Sequence, residues 1–190
     1  MGTSLPTPPL VRPASRQTVN RFTALLALIV LVIIPGLLVV LLQRASHDIQ
    51  LHLGDPIPQL TLRGLDSDSL SFSVFSGRRV ALFFFNVTCE RCQRELSNLD
   101  RLSSLFKDRV AIVAISLSDL RQTKDVLRSD KSTLTTLIDD REEARRAFGI
   151  EEVPALILVD GNQTVQQQHF GEESFETLRK NLTAFAGTGH

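Results

Sequence analysis

The stretch Val80-Ala81-Leu82-Phe83-Phe84-Phe85-Asn86-Val87-Thr88-Cys89-Glu90-Arg91-Cys92 decides how the rest of this chain is read. Its first six residues are apolar without a break, the pattern of a strand buried on both faces. Its last four form a C-x-x-C, and these are the only two cysteines in 190 residues. Beyond them, Glu90 to Phe106 has helical periodicity, with Leu96, Leu99, Leu102 and Leu105 expected on one core-facing stripe. A strand that delivers a C-x-x-C to the first turn of a helix makes a reactive dithiol. The helix start carries partial positive charge and unpaired N–H groups, which favour a thiolate on the first cysteine. The second cysteine is close enough to close a disulfide.

Strands and helices alternate on either side of this stretch. Gln59–Leu62 and Leu70–Val74 flank Gly64-Leu65-Asp66-Ser67-Asp68 and predict a β-hairpin. After the Glu90–Phe106 helix come a strand over Val110–Ser116, a helix over Ser118–Ser129 with Ser118 as its N-cap, and a short strand over Thr133–Ile138. Asp140–Phe148 reads as a helix stopped by Gly149. Ala155–Val159 and Thr164–His169 read as strands joined through Asp160-Gly161-Asn162, and Glu172–Phe185 as a closing amphipathic helix. The expected fold class is α/β, a mixed sheet covered by helices on both faces.

Lys and Arg number 21, as do Asp and Glu, but the balance is uneven along the chain. Residues 1–42 contain Arg12, Arg16 and Arg21 and no acid, so the body is mildly acidic and shows no basic block for nucleic acid. Residues 1–21, with Pro6, Pro8, Pro9 and Pro13, read as a disordered tail. Phe22 to Leu42 is an uncharged run that, as a helix at about 1.5 Å per residue, spans about 30 Å, the thickness of a bilayer core. Pro35-Gly36 would kink that helix without forbidding it. An uncleaved transmembrane anchor is the expectation; a cleavable signal peptide and a buried helix are the alternatives. The arginines before the span place residues 1–21 in the cytoplasm and the rest outside it. Residues 43–53 read as a tether and residues 54–188 as the folded domain. The expected location is thus single-pass in the cytoplasmic membrane, with the dithiol in a periplasm or equivalent space.

Together, Gly54-Asp55-Pro56-Ile57-Pro58, Val80–Phe85, Cys89–Cys92, Glu95, Phe148-Gly149-Ile150, Val153-Pro154 and Val159-Asp160-Gly161 resemble the TlpA/ResA-like branch of thioredoxin-fold proteins, of the AhpC/TSA redoxin type. The resemblance implies a thioredoxin-like fold with an N-terminal β-hairpin and an extra insertion, here residues 118–138. It also implies an anchored thiol–disulfide oxidoreductase whose redox-active disulfide is Cys89–Cys92, with no further cofactor. A membrane thiol reductase would supply electrons and protein disulfides would be the clients, cytochrome c maturation thiols among them. Thr88 stands where the family usually has Trp, and Arg91 where it commonly has Pro. Plain thioredoxin's buried acid falls on Phe83.

Each candidate residue has a bland reading beside the functional one. Cys89 is the expected attacking thiol and Cys92 the resolving one; the alternative is a structural disulfide, which closes too small a loop to stabilise much. No histidine pairing supports zinc, and Gln93 stands where haem attachment needs His. The resemblance implies that Glu95 influences the dithiol's protonation and relays a proton to or from Cys92; otherwise it is a solvated charge paired with Arg91. Thr88, Glu90 and Arg91 are candidates for tuning the redox pair. Pro154 resembles the cis-proline opposite the dithiol, with Val153 presenting backbone to substrate; otherwise it is a trans proline at a strand entry. A thiol peroxidase and a non-enzymatic metal chaperone or assembly factor are the rival functions.

Overall fold

The computed structural model describes residues 29–37, 51–66 and 68–187. The chain divides into two compact units, residues 1–47 and 48–190. In the first, residues 29–37 form a helix that runs through Pro35 with its side chains exposed. Among the described residues no helix is long and apolar enough to cross a membrane. The tail, the remainder of the 22–42 span and most of the tether lie outside the described residues.

The second unit is a seven-stranded mixed sheet in the order β2-β1-β5-β4-β3-β6-β7. The strands are β1 (Thr61–Gly64), β2 (Ser69–Ser71), β3 (Arg79–Phe85), β4 (Val110–Ser116), β5 (Thr135–Ile138), β6 (Ala155–Val159) and β7 (Val165–Phe170). The helices are α1 (Glu90–Phe106), α2 (Leu120–Asp130), α3 (Glu143–Ala147) and α4 (Phe175–Gly187). β3, β4 and β5 run parallel, and β6 returns antiparallel beside β3. The β1–β2 hairpin forms as expected, but the chain after Ser71 turns into a 3-10 helix over Phe72–Phe75. The Ser71 hydroxyl captures the Ser73 N–H, which ends the strand early.

β3 explains its own composition. Ala81, Phe83 and Phe85 enter one core with Leu96, Leu99 and Leu102 of α1 and Leu178, Leu182 and Phe185 of α4. Val80, Leu82 and Phe84 enter the other with Ile57, Phe72, Phe148 and Ile150. Alternate residues of a pleated strand point to opposite faces, so a strand between two cores must be apolar throughout. Phe83 is fully buried.

Three local expectations are corrected. Leu105 is 60% exposed, whereas Leu96, Leu99 and Leu102 are buried. A spacing of three drifts about 60° per step on a helix of 3.6 residues per turn, so after three steps the stripe has crossed to solvent. Phe106 fills the core position instead. The N-cap of α2 is Asp119, whose carboxylate accepts the Gln122 N–H; Ser118 is buried and bonds the 86–87 loop. The last helix starts at Phe175, because the Ser174 hydroxyl takes the Thr177 N–H and leaves Glu172 and Glu173 in the preceding turn.

Candidate active site

The loop between β3 and α1 is shaped by Asn86. Its side-chain oxygen accepts the Thr88 N–H at 2.9 Å, the Thr88 hydroxyl at 2.8 Å and the Ser118 hydroxyl at 3.2 Å. The Val87 N–H in turn reaches the Ser118 oxygen, and Gln93 Nε2 donates to the Val87 carbonyl. These bonds hold the end of β3, the start of α2 and the first turn of α1 together. They fix where Cys89 falls, at the N-cap of α1.

Cys89 and Cys92 form a disulfide with Cα atoms 5.2 Å apart. Cys89 is half-buried, and its sulfur accepts the Cys92 N–H at 3.2 Å. Cys92 is fully buried in the core beneath it. The outer sulfur therefore meets solvent and the helix N-terminus at once. Once the pair is reduced, a sulfur at a helix N-terminus is favoured as a thiolate, and the burial of Cys92 leaves Cys89 as the accessible one of the two.

The opposite wall comes from β6. Phe84 pairs with Ala155, which brings Val153-Pro154 to the end of β3 from which the cysteine loop springs. The Val153–Pro154 bond is cis, as the resemblance implied, and Val153 packs against the same cluster that contains Cys92. The Pro154 carbonyl accepts the Gly171 N–H at 2.8 Å, which ties this wall to the turn after β7.

That turn, Gly171-Glu172-Glu173, completes the site, and nothing in the sequence patterning singled it out. Arg94 grips Glu172 with two bonds, Nε to Oε1 at 2.7 Å and Nη2 to Oε2 at 2.8 Å. That hydrogen bonding lowers the proton affinity of Glu172 and raises that of Arg94. Beside it, the Glu173 N–H donates to Glu95 Oε2 at 3.0 Å. Glu95 is 1% exposed, so the alternative of a solvated charge paired with Arg91 is excluded. Burial pushes its carboxyl up to about 7; the Glu173 N–H opposes the shift, and the charges of Glu173 and Glu172 add to it. Glu95 follows Cys92 by three residues, so the two share one face of α1.

The structure thus gathers Cys89, Cys92 and Glu95 on α1 and sets Val153-Pro154 against the same end of the sheet. Thr88, Glu90 and Arg91 lie exposed around the pair. Arg91's charge acts on Glu172 and Glu90's on Arg94, so both belong to the rim built on the Arg94–Glu172 pair. Thr88 is committed to Asn86. Asn86, Ser118, Arg94, Glu172 and Glu173 were missed. Apart from the Asn86–Thr88 bonds, the contacts that tie them into the site span 31 to 78 residues, beyond the reach of any local pattern.

Known proteins agree with this geometry. The chain is 24% identical to the thiol-disulfide oxidoreductase ResA of Bacillus cereus, over 72% of this chain and 80% of that protein. It is 21% identical to the thioredoxin-like protein YneN of Bacillus subtilis, over 73% and 83% of the two. Among solved structures, a thiol:disulfide interchange protein DsbE from Chlorobium tepidum superposes with a TM-score of 0.68 at 24% identity, covering 73% of this chain and all of that one. StoA from Bacillus subtilis superposes with a TM-score of 0.59 at 19% identity, covering 68% and 98%. These neighbours establish the thioredoxin-like fold, and the AhpC/TSA family model matches residues 53–168. The chain belongs to the AhpC/TSA family and, with the Cys89–Cys92 pair at its helix start, is a thioredoxin-like thiol–disulfide oxidoreductase.

Proposed function

We propose that this protein is a membrane-anchored reductant of protein disulfides, working outside the cytoplasm on electrons from a membrane thiol reductase. The observation that carries the reading is the asymmetry of the dithiol: Cys89 half-exposed at the helix start, Cys92 fully buried behind it. A client disulfide meets only Cys89. The thiolate attacks one client sulfur, giving a mixed disulfide and releasing the other as a thiolate. Cys92 then attacks Cys89, the second client sulfur leaves, and the protein disulfide closes. Val153 and Pro154 offer the backbone along which an extended client segment would lie. Glu95 takes the proton that Cys92 must lose, because a fully buried thiol has no water to give it to.

The anchor and location rest on the uncharged run 22–42 and the arginines before it. In an oxidising space most dithiols oxidise unaided, so a tethered thioredoxin-like protein is useful there as a donor of electrons. Replacing Cys89 with Ser abolishes insulin reduction, and Cys92→Ser accumulates a mixed disulfide with client and donor alike. Retained activity in Cys89→Ser refutes the mechanism. A reduction potential near thioredoxin's roughly −270 mV supports a reductant, and one near DsbA's roughly −120 mV an oxidant. Rapid peroxide consumption would favour a thiol peroxidase, and tight copper binding by the reduced protein a chaperone. An impermeant thiol reagent that labels Cys89 in intact cells of the Cys92→Ser variant tests the location.

A further inference from the structure

Glu95 does not stand alone. Its Oε2 accepts the Glu173 N–H, and the charge of the Glu173 carboxylate acts on it. Glu173 Oε1 accepts Asn181 Nδ2 of α4 at 3.0 Å and lies 3.5 Å from His169 Nδ1 of β7. Two buried oxygens, Glu95 Oε1 and Glu173 Oε2, have no hydrogen-bond partner among the described residues. Buried carboxylate oxygens are rarely left so, and a proton on either acid relieves the cost of burying both as anions. Exposure rises in order along the series: Glu95 at 1%, the Glu173 side chain at 14%, the His169 side chain at 30%. The three groups lead from the core beside Cys92 to the surface.

We infer that Glu173, backed by His169, is a positioning residue that sets the protonation of Glu95 and passes its proton to solvent. The inference rests on the proposed role of Glu95 in the dithiol chemistry. In the resolving step Cys92 gives its proton to the Glu95 carboxylate. The sulfur's electron pair forms the Cys89–Cys92 bond, and the client sulfur leaves with the pair of the broken mixed disulfide. The proton on Glu95 then moves to the Glu173 carboxylate and through the His169 imidazole to water, restoring Glu95. The charges that act on Glu95 are those of Glu173 and Glu172 in the turn, and Cys92 is the thiol on its own face of α1; Glu172 is gripped by Arg94 and acted on by Arg91, and Glu173 faces His169 of β7. Arg94 is held by Glu172, so among the described residues Glu173 is faced by Asn181 and His169 rather than by an arginine, and its charge acts on the buried carboxyl more than that of Glu172 does. β3 and β6 contribute apolar residues, Phe85 and Leu156 among them, to the core that holds Cys92.

The test follows the reduced full chain reacting with the small aromatic disulfide DTNB, whose two thiol releases separate Cys89 attack from Cys92 resolution. Glu173→Gln removes the neighbouring negative charge and keeps the backbone N–H. It moves the pH midpoint of the second phase down by roughly one unit and leaves the first phase in place. His169→Gln removes the imidazole 3.5 Å from Glu173 Oε1, and with it the positive charge that ring can carry on receiving a proton, and moves the midpoint up. Glu173→Asp withdraws the charge by one methylene, gives a smaller downward shift and stands in if the glutamine variant does not fold. Midpoints that stay put, or that move the same way in the Glu173→Gln and His169→Gln variants, overturn the inference, since a merely structural role predicts no opposed shifts. Two normal phases without insulin reduction would defeat the proposed reductant function and leave this inference standing.

Discussion

Glu95→Gln is expected to stabilise the oxidised protein, and by an amount that depends on pH. The glutamine keeps the volume and an oxygen for the Glu173 N–H, but cannot ionise. In the folded chain Glu95 titrates at about 7, against an ordinary value of 4.5. Below pH 4.5 the carboxyl is protonated in both folded and unfolded chains and contributes nothing. Between 4.5 and 7 the unfolded chain loses this proton while the folded chain keeps it, so the folded state falls in relative stability as pH rises. Above about 7 the penalty is complete: some 2.5 units at ~1.36 kcal/mol each, or about 3 kcal/mol. Asp139, whose carboxyl is also raised by burial despite the N–H groups of Arg145 and Ala144, is common to both proteins and cancels in the difference. The assay is urea unfolding of the oxidised full chain at half-unit steps from pH 4 to 8, comparing midpoints at a common m-value. The gap between variant and parent should open by about 3 kcal/mol across that window, equivalent to roughly 10 °C in melting temperature. A gap that stays constant with pH, or closes as pH rises, refutes the account of Glu95 as a buried acid held against its solvation.

Two other perturbations read the fold and the loop. Leu102→Ala is expected to cost about 2–5 kcal/mol and Leu105→Ala less than about 0.5 kcal/mol, as measured by the same unfolding curves, because one leucine is fully buried and the other 60% exposed. Asn86→Ala leaves the donors of Thr88 and Ser118 without their shared acceptor; it should lose about 1–2 kcal/mol and slow Cys89's attack on DTNB several-fold, and unchanged kinetics would show that the loop is held by other means.

What the sequence made legible follows from the range of the forces involved. β3, β4 and β6 were found to within a residue because burial on both faces writes itself into consecutive apolar residues. The dithiol was found because a helix start and a C-x-x-C are adjacent in sequence, and Pro154 because a resemblance supplied the partner across the sheet. The hairpin, α2 and α4 were found with shifted ends. Their limits depend on which short side chain captures a backbone N–H: Ser71, Asp119 and Ser174 do so, Asp119 in place of the expected Ser118. The Gly171–Glu173 turn was not legible. Two adjacent acids before an N-cap read as ordinary helix-start charges, and only the tertiary fold brings them to Arg94 and Glu95.

The turn matters because of what a buried resolving cysteine demands. In the proposed mechanism the burial of Cys92 leaves client disulfides to meet Cys89 alone, but a buried thiol cannot lose its proton to water. A carboxyl one turn further along the same face is the nearest acceptor that α1 can offer. Placed there, it is buried too, and burial raises its proton affinity into the neutral range, where it can both take and release a proton. That placement costs stability at neutral pH, and a rotamer facing solvent would relieve the cost. The Glu173 N–H and the Arg94–Glu172 clamp oppose that escape from either side, and the Gly171 N–H to Pro154 carbonyl bond fixes the same turn to the client-facing wall. One three-residue turn therefore joins the acid, the resolving cysteine's helix and the cis-proline. If clients dock along Val153-Pro154 as proposed, two hydrogen bonds of this turn connect that wall to Glu95.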